Sequence, residues 1–256
     1  MVDPAFKPAT LITGASAGLG AEFARQCAAR GERVVLVARR KDRLEQLASE
    51  IGGAEIILAD LSEPGAGTKV VAEAMTRDLW IRTLINNAGF GLIGKFEELS
   101  LARQLEMIDL NVRALTNLTY VVLNDMRLRG EGAILNVAST AAFQPGPKMA
   151  VYFATKAFVL SLTEALHEEL KPHGIKVSCL CPGPTRTEFG EVAGFGGNGL
   201  FDHVAMNAKE VVRAGLKGLD KNRAVVVTGW MNKIVAASTR FAPRPVVRKI
   251  AGSIKY

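Results

Sequence analysis

Tyr152 and Lys156 stand four residues apart in the stretch Tyr152-Phe153-Ala154-Thr155-Lys156, at the head of a long helical pattern. On a helix, positions i and i+4 share a face, so the phenol and the ammonium point into the same space. An ammonium about 5 Å from a phenol, at an effective dielectric of ~20, favours the phenolate by roughly 3 kcal/mol, or about two pKa units. That shift brings a tyrosine within range of acid–base work. Alone, the pair reads equally well as two side chains on the solvated face of an amphipathic helix. The elements around it have to decide.

Ser139 is the next candidate. Ala133 to Ala138 reads as a buried strand that delivers it at the C-terminal end, the ligand side of a parallel sheet. Between Ser139 and Tyr152, Pro145-Gly146-Pro147 cannot continue a helix and forms a loop leading to a new helix start. Ser139, Tyr152 and Lys156 can therefore converge from a strand end and a neighbouring helix. Asn111 lies within a long helical pattern from Ser100 to about Arg129. Asparagine is a poor mid-helix residue because it competes for backbone hydrogen bonds, so it is either exposed or placed for a reason.

The N-terminal half supplies a phosphate cradle. The apolar run Ala9 to Thr13 leads into Gly14-Ala15-Ser16-Ala17-Gly18-Leu19-Gly20 and then a helical pattern from Ala21 to Arg30. Glycines let a pyrophosphate approach the backbone, and a helix N-terminus presents free N–H groups to it. Arg33 to Ala38 is a second buried strand, followed by Arg39-Arg40-Lys41 where an acid would hold the ribose 2′-hydroxyl of NAD. Arginine suits a 2′-phosphate, and an anion there relieves cations at a helix start. The expected cofactor is NADP(H), with NAD(H) possible.

Glu55 to Ala59 forms a third strand, and the following Asp60-Leu61 either meets the adenine amino group or opens a turn. A fourth strand, Thr83 to Ile85, ends in Asn86-Asn87-Ala88-Gly89; Lys176 to Cys181 and Ala224 to Thr228 are the sixth and seventh. After the sixth, Pro182-Gly183-Pro184-Thr185-Arg186-Thr187 offers hydroxyls on the ligand side. The pattern is that of an α/β Rossmann-like, doubly wound parallel sheet of about seven strands with helices on both faces.

The 256 residues show no linker or repeat and read as one domain, residues 1–256. Three cysteines, Cys27, Cys179 and Cys181, lack disulfide or zinc spacing, so no metal site and a cytoplasmic home are expected. MVDPAFKPA carries no basic, apolar leader. Of the formal +7, six charges lie in the acid-free stretch 229–256, leaving a nearly neutral body that argues against nucleic acid.

In order and spacing these residues resemble the short-chain dehydrogenase/reductase family. The likeness is carried by Thr13-Gly14-x-x-x-Gly18-x-Gly20, Asn86-Asn87-Ala88-Gly89, Asn111, Ser139, Tyr152-x-x-x-Lys156 and Pro182-Gly183, and runs from residue 9 to 228. The resemblance implies that Tyr152 is the catalytic acid or base, that Lys156 lowers its pKa and binds the nicotinamide ribose, and that Ser139 positions the substrate oxygen. It implies that Asn111 holds a water linking Lys156 to solvent. Cofactor contacts would come from Gly14, Ser16, Gly18, Leu19, Gly20, Arg39, Arg40, Asp60, Leu61, Asn87, Ala88, Gly89, Pro182, Gly183, Thr185 and Thr187, with Tyr152 and Lys156. Two departures stand out: Ala17 occupies a position that is basic in many NADP-using relatives, and the C-terminus lacks the Asp-Gly-Gly common in tetramers.

The implied activity is NADPH-dependent reduction of a ketone or aldehyde, or the reverse alcohol oxidation, by a homo-oligomer, dimer or tetramer. The alternative is a catalytically idle NADP(H)-binding regulatory protein on the same fold. Glu188 to Asn207 sets Gly194, Gly196, Gly197 and Gly199 among Phe189, Phe195, Leu200, Phe201 and Met206. That reads as a mobile apolar lid for a hydrophobic or acyl-type substrate, or as a loop packed on the core. The tail places Trp230, Ile234, Ser238 and Phe241, then Val246, Val247, Ile250 and Ile254, at helical spacing among basic residues. It docks on its own domain or a second subunit in the favoured reading, and on an anionic membrane surface in the other.

Overall fold

The computed structural model describes residues 5–188, 190 and 205–253. Seven parallel strands form one sheet in the order β3-β2-β1-β4-β5-β6-β7. They are β1 (Lys7–Thr13), β2 (Val34–Ala38), β3 (Glu55–Leu58), β4 (Leu79–Asn86), β5 (Gly132–Val137), β6 (Ile175–Cys181) and β7 (Val225–Val227). Uninterrupted apolar runs such as Val34–Ala38, buried throughout, are what a sheet covered on both faces requires. The strand order reverses between β1 and β4, whose ends are paired at Ile12 and Ile85. Ligands of open α/β sheets bind at such a reversal, beyond the carboxyl ends of the strands.

Alternate side chains of the strands feed two cores. Leu11, Val35, Leu84 and Ile134 pack with Val70 and Ala74 of α3 (Ala66–Met75) on one face. The same core takes Leu118 and Met126 from α5 (Leu115–Arg129) and Leu170 from α6 (Ala150–Leu170). On the other face, Ile12, Leu36 and Ile85 meet Phe23 and Cys27 of α1 (Gly18–Ala29), Leu44 of α2 (Lys41–Glu50) and Val212 and Leu216 of α7 (Ala208–Asp220).

The sequence pattern from Ser100 to Arg129 reads as one continuous helix, but the structure divides it. α4 (Leu101–Ile108) and α5 flank a π-helical turn, Asp109–Ala114, that holds Asn111 at its centre. A π turn rotates one residue out of the α-helical face, and here it buries Asn111 to 1% exposure.

The tail forms α8 (Trp230–Ser238) and α9 (Arg244–Ser253). Its docking is slight: Ala236, Val247 and Ala251 are buried, whereas Trp230, Ile234, Phe241 and Ile250 are exposed. Of the lid pattern, Phe189, Gly194, Phe195, Gly196, Gly197, Gly199, Leu200 and Phe201 lie outside the described residues, as does Ile254 of the tail. Met206 bridges back to Thr185.

Candidate active site

Tyr152 lies in the first turn of α6, and Lys156 follows one turn later. Both are buried, at 8% and 5% exposure. The Lys156 ammonium donates to Val137 O at the end of β5, 2.9 Å away, and lies 5.8 Å from the Tyr152 ring centroid. Tyr152 is hydrogen-bonded to the side chain of Ser139. Ser139 caps the 3-10 turn Thr140–Phe143, its Oγ accepting from Ala141 N at 3.1 Å. The strand end and the helix start therefore meet over one point.

The electrostatics are opposite in sign to the lowered phenol pKa that the spacing predicts. Burial pushes the Tyr152 phenol up to about 12, against the pull of its bond with Ser139. Burial also pushes the Lys156 ammonium down to about 8, opposed by the neighbouring Cys179 and Cys181. Loss of hydration disfavours the charged form of each group, and at this depth it outweighs the bond to Ser139 and the pull of the two cysteines. The phenol is thus a proton donor at neutral pH.

Asn111 underlies this cluster. Its Oδ1 accepts from Phe90 N at 3.1 Å, and its Nδ2 donates to Phe90 O at 3.0 Å and Thr155 Oγ1 at 3.1 Å. Thr155 in turn donates to Tyr152 O at 2.7 Å. Thr155 did not stand out in the sequence, although its place between Tyr152 and Lys156 was the available signal.

The cofactor candidates line the reversal of strand order. Thr13 Oγ1 accepts from Asn87 N and Ala88 N, each at 2.9 Å, and Asn87 Nδ2 donates to Thr13 O at 2.9 Å. These bonds bind the ends of β1 and β4 together. Gly14 and Gly18 have positive φ, +65° and +54°, and a Cβ on Gly20 would overlap Gly14 O. Leu19 is half-buried against the second core, and Leu61 is buried in the first. Thr140 N donates to Pro182 O at 2.9 Å, joining the ends of β5 and β6. Thr185 Oγ1 donates to Gly183 O at 2.9 Å, and Thr187 packs on Gly18.

The basic residues are already engaged. Arg40, at the N-cap of α2, donates to Ser16 Oγ at 3.1 Å and pairs with Glu188 at 3.2 Å, and Glu188 also pairs with Arg43 at 3.5 Å. Nothing in the sequence pointed to Glu188. Arg39 pairs with Asp60 at 3.2 Å. The Asp60 carboxylate also accepts from Ser62 N at 3.0 Å and Ser62 Oγ at 2.6 Å. Burial opposes its charge, but the bonds from Ser62 and Arg39 hold it below the usual carboxylate range. These Ser62 bonds form the turn that one reading of Asp60 expects.

The surroundings fit a nicotinamide dinucleotide. Gly14 allows close approach of Ala88, since an ideal Cβ on Gly14 would lie 2.9 Å from Ala88 Cα. Ala17 at the N-cap of α1 adds no side-chain hydrogen bond to that helix's first N–H groups, which suits a pyrophosphate. An ideal Cβ on Gly89 would lie 2.9 Å from Asn111 Oδ1 and 3.5 Å from Lys156 Nζ. Because three hydrogen bonds fix Asn111, we expect Gly89→Ala to destabilise the fold by roughly 1–3 kcal/mol through overpacking. Urea denaturation checks this, and a ΔΔG near zero would mean that Asn111 can yield.

Similarity to known proteins agrees with the geometry. The family model described as short chain dehydrogenase matches residues 8–194. Sulfoacetaldehyde reductase 2 of Chromohalobacter salexigens is 36% identical over 184 residues, covering 70% of this chain and 73% of that protein. A short-chain dehydrogenase from Sphingobium yanoikuyae, solved in complex with NADPH, is 36% identical with a TM-score of 0.81 over 97% of each chain. The bulky-bulky ketone specific alcohol dehydrogenase from Comamonas testosteroni is 32% identical with a TM-score of 0.77, over 97% of this chain and 95% of that one. Matched by family over most of its length and by structure over nearly all of it, the chain belongs to the short-chain dehydrogenase/reductase family and is an NAD(P)-dependent oxidoreductase of carbonyl or alcohol groups.

Proposed function

We propose that this chain is an NADPH-dependent reductase of a bulky, apolar ketone or aldehyde, including acyl-type carbonyls. The observation that carries the chemistry is the convergence of Ser139, Tyr152 and Lys156 above the ends of β4 and β5. When bound, NADPH supplies the hydride to the carbonyl carbon. As negative charge develops on the carbonyl oxygen, the Tyr152 hydroxyl donates its proton there and the Ser139 hydroxyl donates a hydrogen bond. Ala141 N fixes the position of Ser139 Oγ. Lys156, tethered by Val137 O, holds a positive charge against the cofactor ribose and the deprotonated tyrosine. Asn111 and Thr155 keep the first turn of α6 in place, and the family resemblance gives Asn111 the further role of holding a water leading from Lys156.

The apolar substrate class is supported by the side chains beside Tyr152, where Leu92, Phe96, Leu99, Met107 and Met149, with Gln104, line a narrow crevice with room for about one water. The activity of the Comamonas testosteroni relative on bulky ketones points the same way. The homo-oligomer reading rests on outward apolar side chains of α4 and α5, with Leu101, Leu105, Tyr120 and Leu128 exposed.

The NADP preference rests on Arg39 and Arg40 at the end of β2, each able to exchange a carboxylate partner for a 2′-phosphate. A charge-assisted hydrogen bond contributes about 1.5–3 kcal/mol. Arg40→Asp should therefore lower kcat/KM for NADPH by about 10- to 100-fold and leave that for NADH nearly unchanged. The measurement is initial rates with both cofactors across a panel of bulky ketones, aldehydes and small polar carbonyls. Equal wild-type efficiency with both cofactors would remove the NADP preference, and reduction of small polar carbonyls alone would remove the substrate class.

A further inference from the structure

The last two helices carry their large apolar side chains outward. Trp230 is 71% exposed, Ile234 59%, Phe241 88% and Ile250 61%, with Met231 and Val246 about half exposed beside them. The side chains turned toward the body are the small ones, Ala236, Val247 and Ala251. Large apolar side chains exposed in this number mark an interaction surface.

Its charge selects the partner. Lys233, Arg240, Arg244, Arg248 and Lys249 are interspersed with these residues and exposed, and the stretch 229–256 contains no Asp or Glu. A two-fold contact with a second copy would lay this patch on itself and bring like charges together. An anionic lipid surface takes both components, the apolar side chains entering the acyl boundary and the cations meeting headgroups. No helix among the described residues is long and apolar enough to cross a membrane, so the contact is an interfacial one. We infer that α8, Phe241 and α9 form a docking surface for an anionic lipid bilayer.

The surface adjoins the substrate side of the sheet. α8 packs on β7 and on the 3-10 turn that Ser139 caps. Asn232 of α8 abuts Gly183, and in α9 an ideal Cβ on Gly252 would lie 3.9 Å from Pro147, in the loop before Tyr152. A bilayer seated on α8 and α9 therefore lies beside the turn that Ser139 caps. The docking itself is independent of which carbonyl is reduced.

The test is co-sedimentation of the full chain with phosphatidylcholine vesicles, with and without phosphatidylglycerol, at low and high salt. The chain should pellet with the anionic vesicles at low salt, stay in solution with phosphatidylcholine alone, and be released by high salt. Trp230 emission should shift to the blue on binding. Arg244→Glu with Arg248→Glu, and separately Trp230→Ser with Phe241→Ser, should each lower partitioning by about tenfold or more, with circular-dichroism melts unchanged. Absence of pelleting by the wild-type chain overturns the inference. So does partitioning unaltered by both variant pairs, or sedimentation velocity in which Trp230→Ser with Phe241→Ser splits an oligomer that has no vesicle affinity.

Discussion

Tyr152→Phe is expected to lower kcat for ketone reduction on the order of 10²- to 10⁴-fold, the contribution of one positioned general acid. NADPH affinity should change little. The ring is held from several sides, edge-on to Phe153 at a centroid distance of 6.1 Å and within a buried cluster containing Met107 and Met149. Phenylalanine fills the same volume and removes only the hydroxyl and its bond with Ser139, so fold and crevice persist while the proton source disappears. Because burial pushes the phenol up to about 12, the wild-type side chain is protonated across the neutral range. Reduction, which consumes that proton, should be nearly independent of pH around 7. Alcohol oxidation requires the phenolate, so its rate should climb with pH toward 12. Steady-state rates in both directions, with NADPH binding followed by fluorescence, check these outcomes. Near-normal turnover by the phenylalanine variant would remove Tyr152 from the mechanism. A wild-type chain that binds NADPH tightly but reduces no carbonyl would favour an idle, regulatory role.

Much of this arrangement was legible in the residues because the fold's layout is written in one-dimensional patterns. Buried parallel strands are uninterrupted apolar runs, and the residue that follows each run lies on the ligand side, so Asp60, Asn87, Ser139 and Pro182 could be placed without coordinates. What was not legible depends on three-dimensional surroundings. The π turn around Asn111 leaves helical periodicity almost intact on either side, since it inserts one residue into an otherwise ordinary pattern. Glu188 meets Arg40 across 148 positions, a distance at which sequence spacing carries no information. The tail has the helical period expected of it, but periodicity cannot tell which face turns inward. Its small residues face the domain and its large ones face outward.

Depth of burial was the other hidden quantity, and Lys156 is where it has the largest consequence for stability. The spacing of Tyr152 and Lys156 puts them on one helix face but carries no information on how deeply that face is buried. The structure places Lys156 at 5% exposure, where burial pushes its ammonium down from 10.5 to about 8. That shift corresponds to roughly 3 kcal/mol of instability when the group is charged. The sign follows from linkage: the folded-state pKa lies below the unfolded one, so the unfolded chain takes up the proton first as pH falls. The penalty is absent above about 10.5, grows as pH falls to about 8, and is fully present at pH 7. Lys156→Met retains much of the buried stem and removes the charge, at the cost of the bond to Val137 O, a loss of about 1–2 kcal/mol. We therefore expect Lys156→Met to stabilise the cofactor-free protein by about 1–2 kcal/mol at pH 7 while turnover falls by at least about tenfold. Urea denaturation of both proteins across this range should show the advantage shrinking, then reversing, toward pH 10.5 as the wild-type lysine loses its proton in both states. A variant less stable than wild type at pH 7 would mean that the ammonium is well solvated within the fold and that its charge costs the protein nothing.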